Sequence, residues 1–367
     1  MNNEFYWLWY SLIKGIKRQK LDNLLEKYIN PRVIFEMKKE ELAFNKELNY
    51  KDIDLILNSR NSQKIQRYVE KLIDFNIRFC SIESVDYPSL LKQIYDPPYV
   101  INYKGILPDK SENTLAIVGS RKCSENGRSI AHKFAKELSE NQVVAVSGLA
   151  RGIDTAAHKG AIDGEGKTIA VLGCGLDICY PRENQEIFNE ITKKGAVISE
   201  YAMGTQPLPY HFPMRNRIIS GLSKGVLVIE AAKKSGSLIT ADQALEQGRD
   251  VYAIPGDILK AEKEGTNNLI KQGAKIVTNT VDILEEILGY GLFENQTKVT
   301  NKQQILKVKL ANTDKMIYDC LDLNPKNADE ICREVKMPVK QVQHILLMLE
   351  LEELIVQIPN KRYIIKV

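Results

Sequence analysis

Leu115-Ala116-Ile117-Val118 runs into Gly119-Ser120-Arg121, and the same event repeats down the chain as far as Val277. Val143-Val144-Ala145-Val146 runs into Ser147-Gly148-Leu149-Ala150-Arg151-Gly152, and Thr168-Ile169-Ala170-Val171-Leu172 into Gly173-Cys174-Gly175. Val226-Leu227-Val228-Ile229 ends in Glu230, and Val251-Tyr252-Ala253-Ile254 ends in Pro255-Gly256. Short β-branched runs bounded by turn residues and alternating with helical stretches predict parallel strands in a βαβ series. The helical stretches are expected at 127–140, 155–163, 184–194, 217–224, 238–247 and 267–272. Such sheets bind ligands just beyond the carboxyl ends of their strands. Glycines, serines and arginines stand at those ends here, which predicts a site for something phosphorylated.

The loops differ in what they offer. Gly119 allows close backbone approach, Ser120 adds a hydroxyl, and Arg121 is able to fork onto a phosphate with two hydrogen bonds. Ser147-Gly148 opens a turn into a helix near Asp154-Thr155, whose unpaired N–H groups would favour an anion. Asp154 is expected to cap that helix and His158 to be a packed histidine. The loop is no Walker A motif, and Gly173-Cys174-Gly175 lacks the third glycine of a dinucleotide fingerprint. Arg182 follows Tyr180-Pro181. Arg215 and Arg217 flank Asn216 at an expected helix start, either as phosphate contacts or tied to Glu200 or Glu230. Ser235-Gly236-Ser237 is a further small-residue turn before a helix. Tyr180, Tyr201, Tyr210 and Phe212 offer faces for base stacking. A nucleophile elbow, a metal-ligand pair on one helix and a cysteine–histidine pairing are all absent from the sequence. Phosphate cradles without a nucleophile predict binding rather than turnover: no enzyme, no cofactor and no metal.

The chain has 367 residues, room for two or three domains, with 44% hydrophobic and 27% charged residues. Its net charge of +4 divides into +3 over residues 1–110, −1 over 111–300 and +2 over 301–367. A polyanion site in the α/β part must therefore gather its cations locally. The sequence has no apolar run long enough for a membrane span, no signal-peptide layout at Met1-Asn2-Asn3-Glu4, and six cysteines without CxxC spacing. Those features predict a cytoplasmic protein. Residues 1–78 read as a small helical domain, broken at Asn30-Pro31. Residues 79–290 hold the α/β domain, entered by a connector over 79–110 whose stretch 99–103 reads as an edge strand. Residues 291–310 read as a linker. Residues 311–367 follow the layout of a winged helix: helices at 313–323, 331–336 and 339–353, then a hairpin over 354–358 and 363–367. Its third helix starts with Lys340, Gln341, Gln343 and His344 but ends in Glu350-Leu351-Glu352-Glu353, which leaves duplex DNA, protein contact and self-association all open.

Taken in order, Gly119-Ser120-Arg121, Ser147–Asp154, Gly173-x-Gly175-x-Asp177 with Tyr180-Pro181, Phe212-Pro213-x-Arg215-Asn216-Arg217, Ser235-Gly236-Ser237 and Val251–Gly256 resemble the DprA/Smf family of DNA-processing proteins of natural transformation. The resemblance covers about 115–280. It implies an α/β fold with an extended, Rossmann-like, mostly parallel sheet, an N-terminal helical domain like a sterile alpha motif, and a C-terminal winged helix. It further implies sequence-independent binding and protection of incoming single-stranded DNA, and loading of RecA onto it in transformation and homologous recombination. The DNA pocket is expected at Gly119, Ser120, Arg121, Ser147, Gly148, Gly175, Arg182, Arg215, Asn216, Arg217, Ser235 and Gly236. Arg182 stands where lysine is frequent in the family, and Gln185 where some members stack an aromatic on a base. A homodimer is implied, with Ile270 and Ile276 at its apolar interface. The alternative is a nucleotide-binding Rossmann-like sensor or nucleotide hydrolase, with Glu230 as its acidic group. A further alternative is a transcription factor that reads DNA through the C-terminal domain.

Overall fold

The computed structural model describes residues 3–288, 312–322, 325–352, 354–358 and 361–365. One sheet contains β1 (Arg78–Ser81), β2 (Val100–Gly105), β3 (Asn113–Val118), β4 (Val143–Ser147), β5 (Thr168–Val171), β6 (Ala196–Ser199), β7 (Gly225–Val228), β8 (Asp250–Ala253) and β9 (Lys275–Ile276). Its spatial order is β1-β2-β6-β5-β4-β3-β7-β8-β9. The pairs from β6 through β9 are parallel, while β1–β2 and β2–β6 are antiparallel. The five runs quoted above are β3, β4, β5, β7 and β8. They read as unbroken apolar stretches because helices cover both faces of the sheet. The stretch expected at the edge is β2, and it is internal: β1 pairs with its outer side and forms the edge. β6 carries the same signature between Gly195 and Glu200 and completes the series.

Six N-terminal helices precede the sheet: α1 (Asn3–Ser11), α2 (Arg18–Tyr28), α3 (Pro31–Glu36), α4 (Lys39–Ala43), α5 (Tyr50–Ser59) and α6 (Ser62–Asp74). Asn30 caps α3, with Pro31 at its first position, as the sequence predicts. Trp7, Trp9, Tyr10, Leu24, Ile34 and Ile56 form the core of this layer, which continues into Tyr99 and Val100 of the connector. Polar ties, among them the following, fix it to the α/β part of the chain. The Glu4 carboxylate accepts from the Ser81 N–H at 3.0 Å and hydroxyl at 2.8 Å, and the Tyr68 hydroxyl accepts from the Met203 N–H at 3.1 Å.

The sheet's helices are α7 (Ser89–Lys92), α8 (Glu125–Glu140), α9 (Ile153–Asp163), α10 (Gln185–Lys194), α11 (His211–Gly221), α12 (Gly236–Glu246), α13 (Glu264–Lys271) and α14 (Val281–Leu288). Phe134, Leu138, Ala157, Ile283 and Leu284, from α8, α9 and α14, pack on one face with Leu115, Ile117 and Leu227. Leu91, Ile218, Ile219, Ala241, Ala244 and Leu269, from α7, α11, α12 and α13, pack on the other with Val118, Val226 and Val228. α11 starts at His211 rather than at Arg217.

The C-terminal part contains α15 (Asn312–Cys320), α16 (Ala328–Val335), α17 (Val339–Leu351) and a small sheet of β10 (Lys326–Asn327), β11 (Ile355–Ile358) and β12 (Arg362–Ile365). Asn327 and Glu330 form the capping box of α16. Ile317, Ile331, Val342, Leu346 and Ile355 meet in its own core. The linker expected over 291–310 lies outside the described residues. Among the described residues, no helix is long and apolar enough to cross a membrane.

Candidate nucleic-acid interface

From β3 the chain builds outward through β4 and β5 to β6, then returns to place β7 on the opposite side of β3. The loops after β3 and β7 therefore diverge, opening a crevice at the carboxyl ends of the strands. A cleft of about 630 Å³ occupies that place, lined by Gly119–Lys122, Tyr180, Pro207, Pro209, Phe212–Asn216 without Met214, and Ser235–Thr240 without Leu238. Two glycines are required by close approach. A Cβ on Gly119 would lie 2.6 Å from the Ile153 side chain and 3.0 Å from the Glu230 carbonyl oxygen, and one on Gly148 would collide with the Arg215 guanidinium.

Seven of the expected site residues line this cleft: Gly119, Ser120, Arg121, Arg215, Asn216, Ser235 and Gly236. Arg121 is exposed, and its guanidinium lies 4.9 Å from the Phe212 ring centroid. Among the described residues neither Arg121 nor the adjacent, exposed Lys122 has an ion-pair partner. The Ser120 N–H donates to the Glu230 carbonyl at 2.7 Å, which holds the loop beneath them. The Ser235 hydroxyl caps α12, accepting from the Ser237 N–H, and Asn216 Nδ2 donates to the Gly236 carbonyl at 3.4 Å.

Arg215 is 3% exposed at the floor of the cleft. Its Nη2 donates to the Gly148 carbonyl at 3.1 Å, while its Nε has no partner among the described residues. Burial pushes this guanidinium down to about 10, opposed by the charge of Asp154, so it remains cationic at neutral pH. Burial likewise pushes the Asp154 carboxyl up, against the pull of Arg215. The expectation that Asp154 caps α9 is corrected here: Oδ2 accepts from the Gly148 and Ala150 N–H groups of the preceding loop, at 3.1 and 3.4 Å. At the N-terminus of α9, the Ile153 and Thr155 N–H groups already donate to the Ser120 and Ala150 carbonyls. His158 is fully buried against the Thr168 hydroxyl at 2.8 Å, and desolvation drives its imidazole down to about 3.

The remaining expected residues lie elsewhere. Arg217 is two positions from Arg215 on a continuous helix, which turns it roughly 200° away. Its Nε pairs with the part-exposed Asp96 at 3.0 Å and its Nη2 with the mostly covered Glu200, so its charge is committed. Ser147 is fully buried and donates to the Ile117 carbonyl at 2.7 Å, tying β4 to β3. Gly148 lies behind Arg215, and buried Gly175 donates its N–H to Thr205. Arg182 is exposed in a short turn after Tyr180-Pro181, beyond the cleft's lining, with no ion pair among the described residues. Its neighbours Arg151 and Glu183 hold each other through two hydrogen bonds of 2.5 and 2.7 Å. Gln185 is exposed at the start of α10 and donates to Asn189. Glu230 is fully buried, its carboxylate accepting from the Ser124 N–H (2.8 Å) and hydroxyl (2.6 Å), with Lys263 Nζ 3.6 Å away. Lys122, Pro207 and Pro209 also line the cleft: Lys122 is signalled by its place beside Arg121, whereas the two prolines carry no local signal of the cleft they wall.

Residues 78–288 match the family model described as DNA recombination-mediator protein A, and residues 307–361 match the model of the DprA winged helix domain. The chain belongs to the DprA family. It is 50% identical over 211 residues to the DNA processing protein DprA of Streptococcus pneumoniae, covering 57% of this chain and 74% of that one. It is 32% identical to protein Smf of Synechocystis, covering 99% and 98%. The X-ray structure of DprA from S. pneumoniae superposes with a TM-score of 0.68 at 39% identity, over 78% of this chain and 99% of that one. A structure of DNA processing protein A from Helicobacter pylori, described for its single-stranded DNA binding mode, superposes with a TM-score of 0.51 at 29% identity, over 57% and 96%. The DprA fold is thus the fold of this chain: a Rossmann-like, mostly parallel sheet, with a helical N-terminus and a winged-helix C-terminal domain.

Proposed function

We propose that the chain binds single-stranded DNA without sequence preference across the mouth of the β3/β7 cleft. In this reading it protects incoming strands in natural transformation and hands them to RecA, in the cytoplasm. One observation carries the reading: Arg121 stands at the mouth with its charge uncommitted and its guanidinium on the Phe212 ring. Lys122 lines the cleft beside Arg121, Arg215 adds a buried positive charge, and exposed Arg182 follows two residues after the lining Tyr180. The α/β segment is close to neutral overall, so this local convergence is what favours phosphates. Phosphates on the rim leave the bases facing aromatic and proline side chains, an arrangement that tolerates any sequence. Binding rather than turnover is favoured because the cleft's nearest carboxylates, Asp154 and Glu230, are both buried and spent on backbone and Ser124.

A homodimer is part of the proposal. Ile276 on edge strand β9 is 55% exposed, and Ile270 on α13 is partly buried against the core of the sheet. The test of the handover is RecA filament assembly on oligothymidine. Wild type should accelerate it and Arg121→Glu should not; equal acceleration by both contradicts the placement of the DNA.

A further inference from the structure

We propose that Tyr180, backed by Phe212, is the platform on which a nucleobase stacks; this rests on the reading that the cleft takes single-stranded DNA. The Tyr180 ring lines the cleft and is 36% exposed. Its centroid lies 5.5 Å from that of Phe212 at an interplanar angle of 34°. Phe212 is itself seated against Gly173, where a Cβ would come within 3.0 Å of its ring, and it carries the Arg121 guanidinium.

The Tyr180 hydroxyl bonds to no described residue. By contrast, Tyr87, Tyr201 and Tyr252 donate theirs to the Pro98 carbonyl, the His211 carbonyl and the Glu286 carboxylate. Those hydroxyls are fastened into the fold, whereas the Tyr180 ring, packed beside Phe212, keeps its hydroxyl free of the described residues. The turn that presents it is firm: Asn184 Nδ2 donates to the Leu149 carbonyl and to Thr155 Oγ1, both at 2.9 Å. Pro207, Pro209 and Ile239 also line the cleft with apolar surface, while its polar lining residues Ser235 and Asn216 are engaged with the Ser237 N–H and the Gly236 carbonyl. The site therefore takes a flat aromatic base of any identity, with its phosphate on Arg121.

Fluorescence anisotropy should compare labelled oligothymidine with an abasic strand of equal length and phosphate count, using the full chain. Wild type should prefer oligothymidine by about tenfold or more. Tyr180→Phe should keep the preference. Tyr180→Leu should lower oligothymidine affinity to the abasic level and leave abasic binding unchanged. In Tyr180→Trp, emission of the new indole should fall on adding oligothymidine and not the abasic strand; the native Trp7 and Trp9 are buried in the helical layer. Salt-sensitive but equal binding of both strands by wild type would overturn the platform while sparing the DNA site. So would a preference that survives in Tyr180→Leu. If Tyr180→Leu does not fold, the wild-type comparison and the Trp emission decide. Binding of neither strand would overturn the cleft reading and the platform with it.

Discussion

Arg121, Arg215 and Arg217 carry the same guanidinium into three environments, and environment sets their roles. Arg121 is exposed and unpaired, so a phosphate competes with water rather than with a carboxylate. Arg121→Ala should weaken oligothymidine binding and lower the salt slope by about 0.7 for each phosphate no longer neutralised, with an unchanged melting temperature. Arg217 behaves in the opposite way. Its side chain is 11% exposed against 15% for Glu200, so Arg217→Ala leaves a buried carboxylate without its partner. Urea unfolding should show a loss of about 3 kcal/mol, with oligothymidine affinity intact in the folded fraction. His158 adds a pH dependence. Its folded pKa, about 3, lies below the ordinary 6.5, so the unfolded chain takes up a proton first as pH falls. The buried neutral ring thus contributes stability that is fully present above 6.5 and lost progressively between 6.5 and 3. The urea midpoint should fall through that window, and in His158→Leu it should fall less steeply.

At the scale of elements, the cleft depends on how the β3 loop is held. Glu230, from the end of β7, grips Ser124 by backbone and side chain, and Ser124 in turn caps α8 through the Gly127 N–H. Ser124→Ala should cost about 1 kcal/mol in thermal or urea unfolding, as the loss of an N-cap does. Five strands were legible because burial on both faces leaves an unbroken apolar run. The inner position of β2 was not legible, since it is decided by pairing with Arg78–Ser81, a short and polar segment. The start of α11 was hidden by Pro213, which reads as a break yet is tolerated in a helix's first turn, where N–H groups lack partners anyway. Placing the start at His211 sets the helical phase, and the phase sends Arg215 to the cleft and Arg217 away from it. The motifs therefore revealed the loops of the candidate site, while the direction of each side chain depended on a helix boundary that local sequence disguises.

At the scale of the whole molecule, the proposal separates DNA capture from the terminal domains. A chain ending at Leu288 should keep the oligothymidine affinity of the full protein, measured on equal molar protein. On α17, Leu347, Met348 and Leu351 are exposed beside the polar start at Lys340 and His344. Ile270→Glu should shift light scattering toward monomer, because a charge replaces an apolar group at the proposed interface; an unmoved dimer peak contradicts that interface. Single-stranded DNA is proposed to lie on Arg121 at the β3/β7 cleft. The most direct test of this placement is anisotropy of labelled oligothymidine against duplex of equal length, across a salt series, for wild type and Arg121→Glu. Wild type should bind the single strand tightly, in preference to duplex and with strong salt sensitivity, and the mutant should lose that binding. A mutant that binds like wild type, or no preference for the single strand, would contradict this placement.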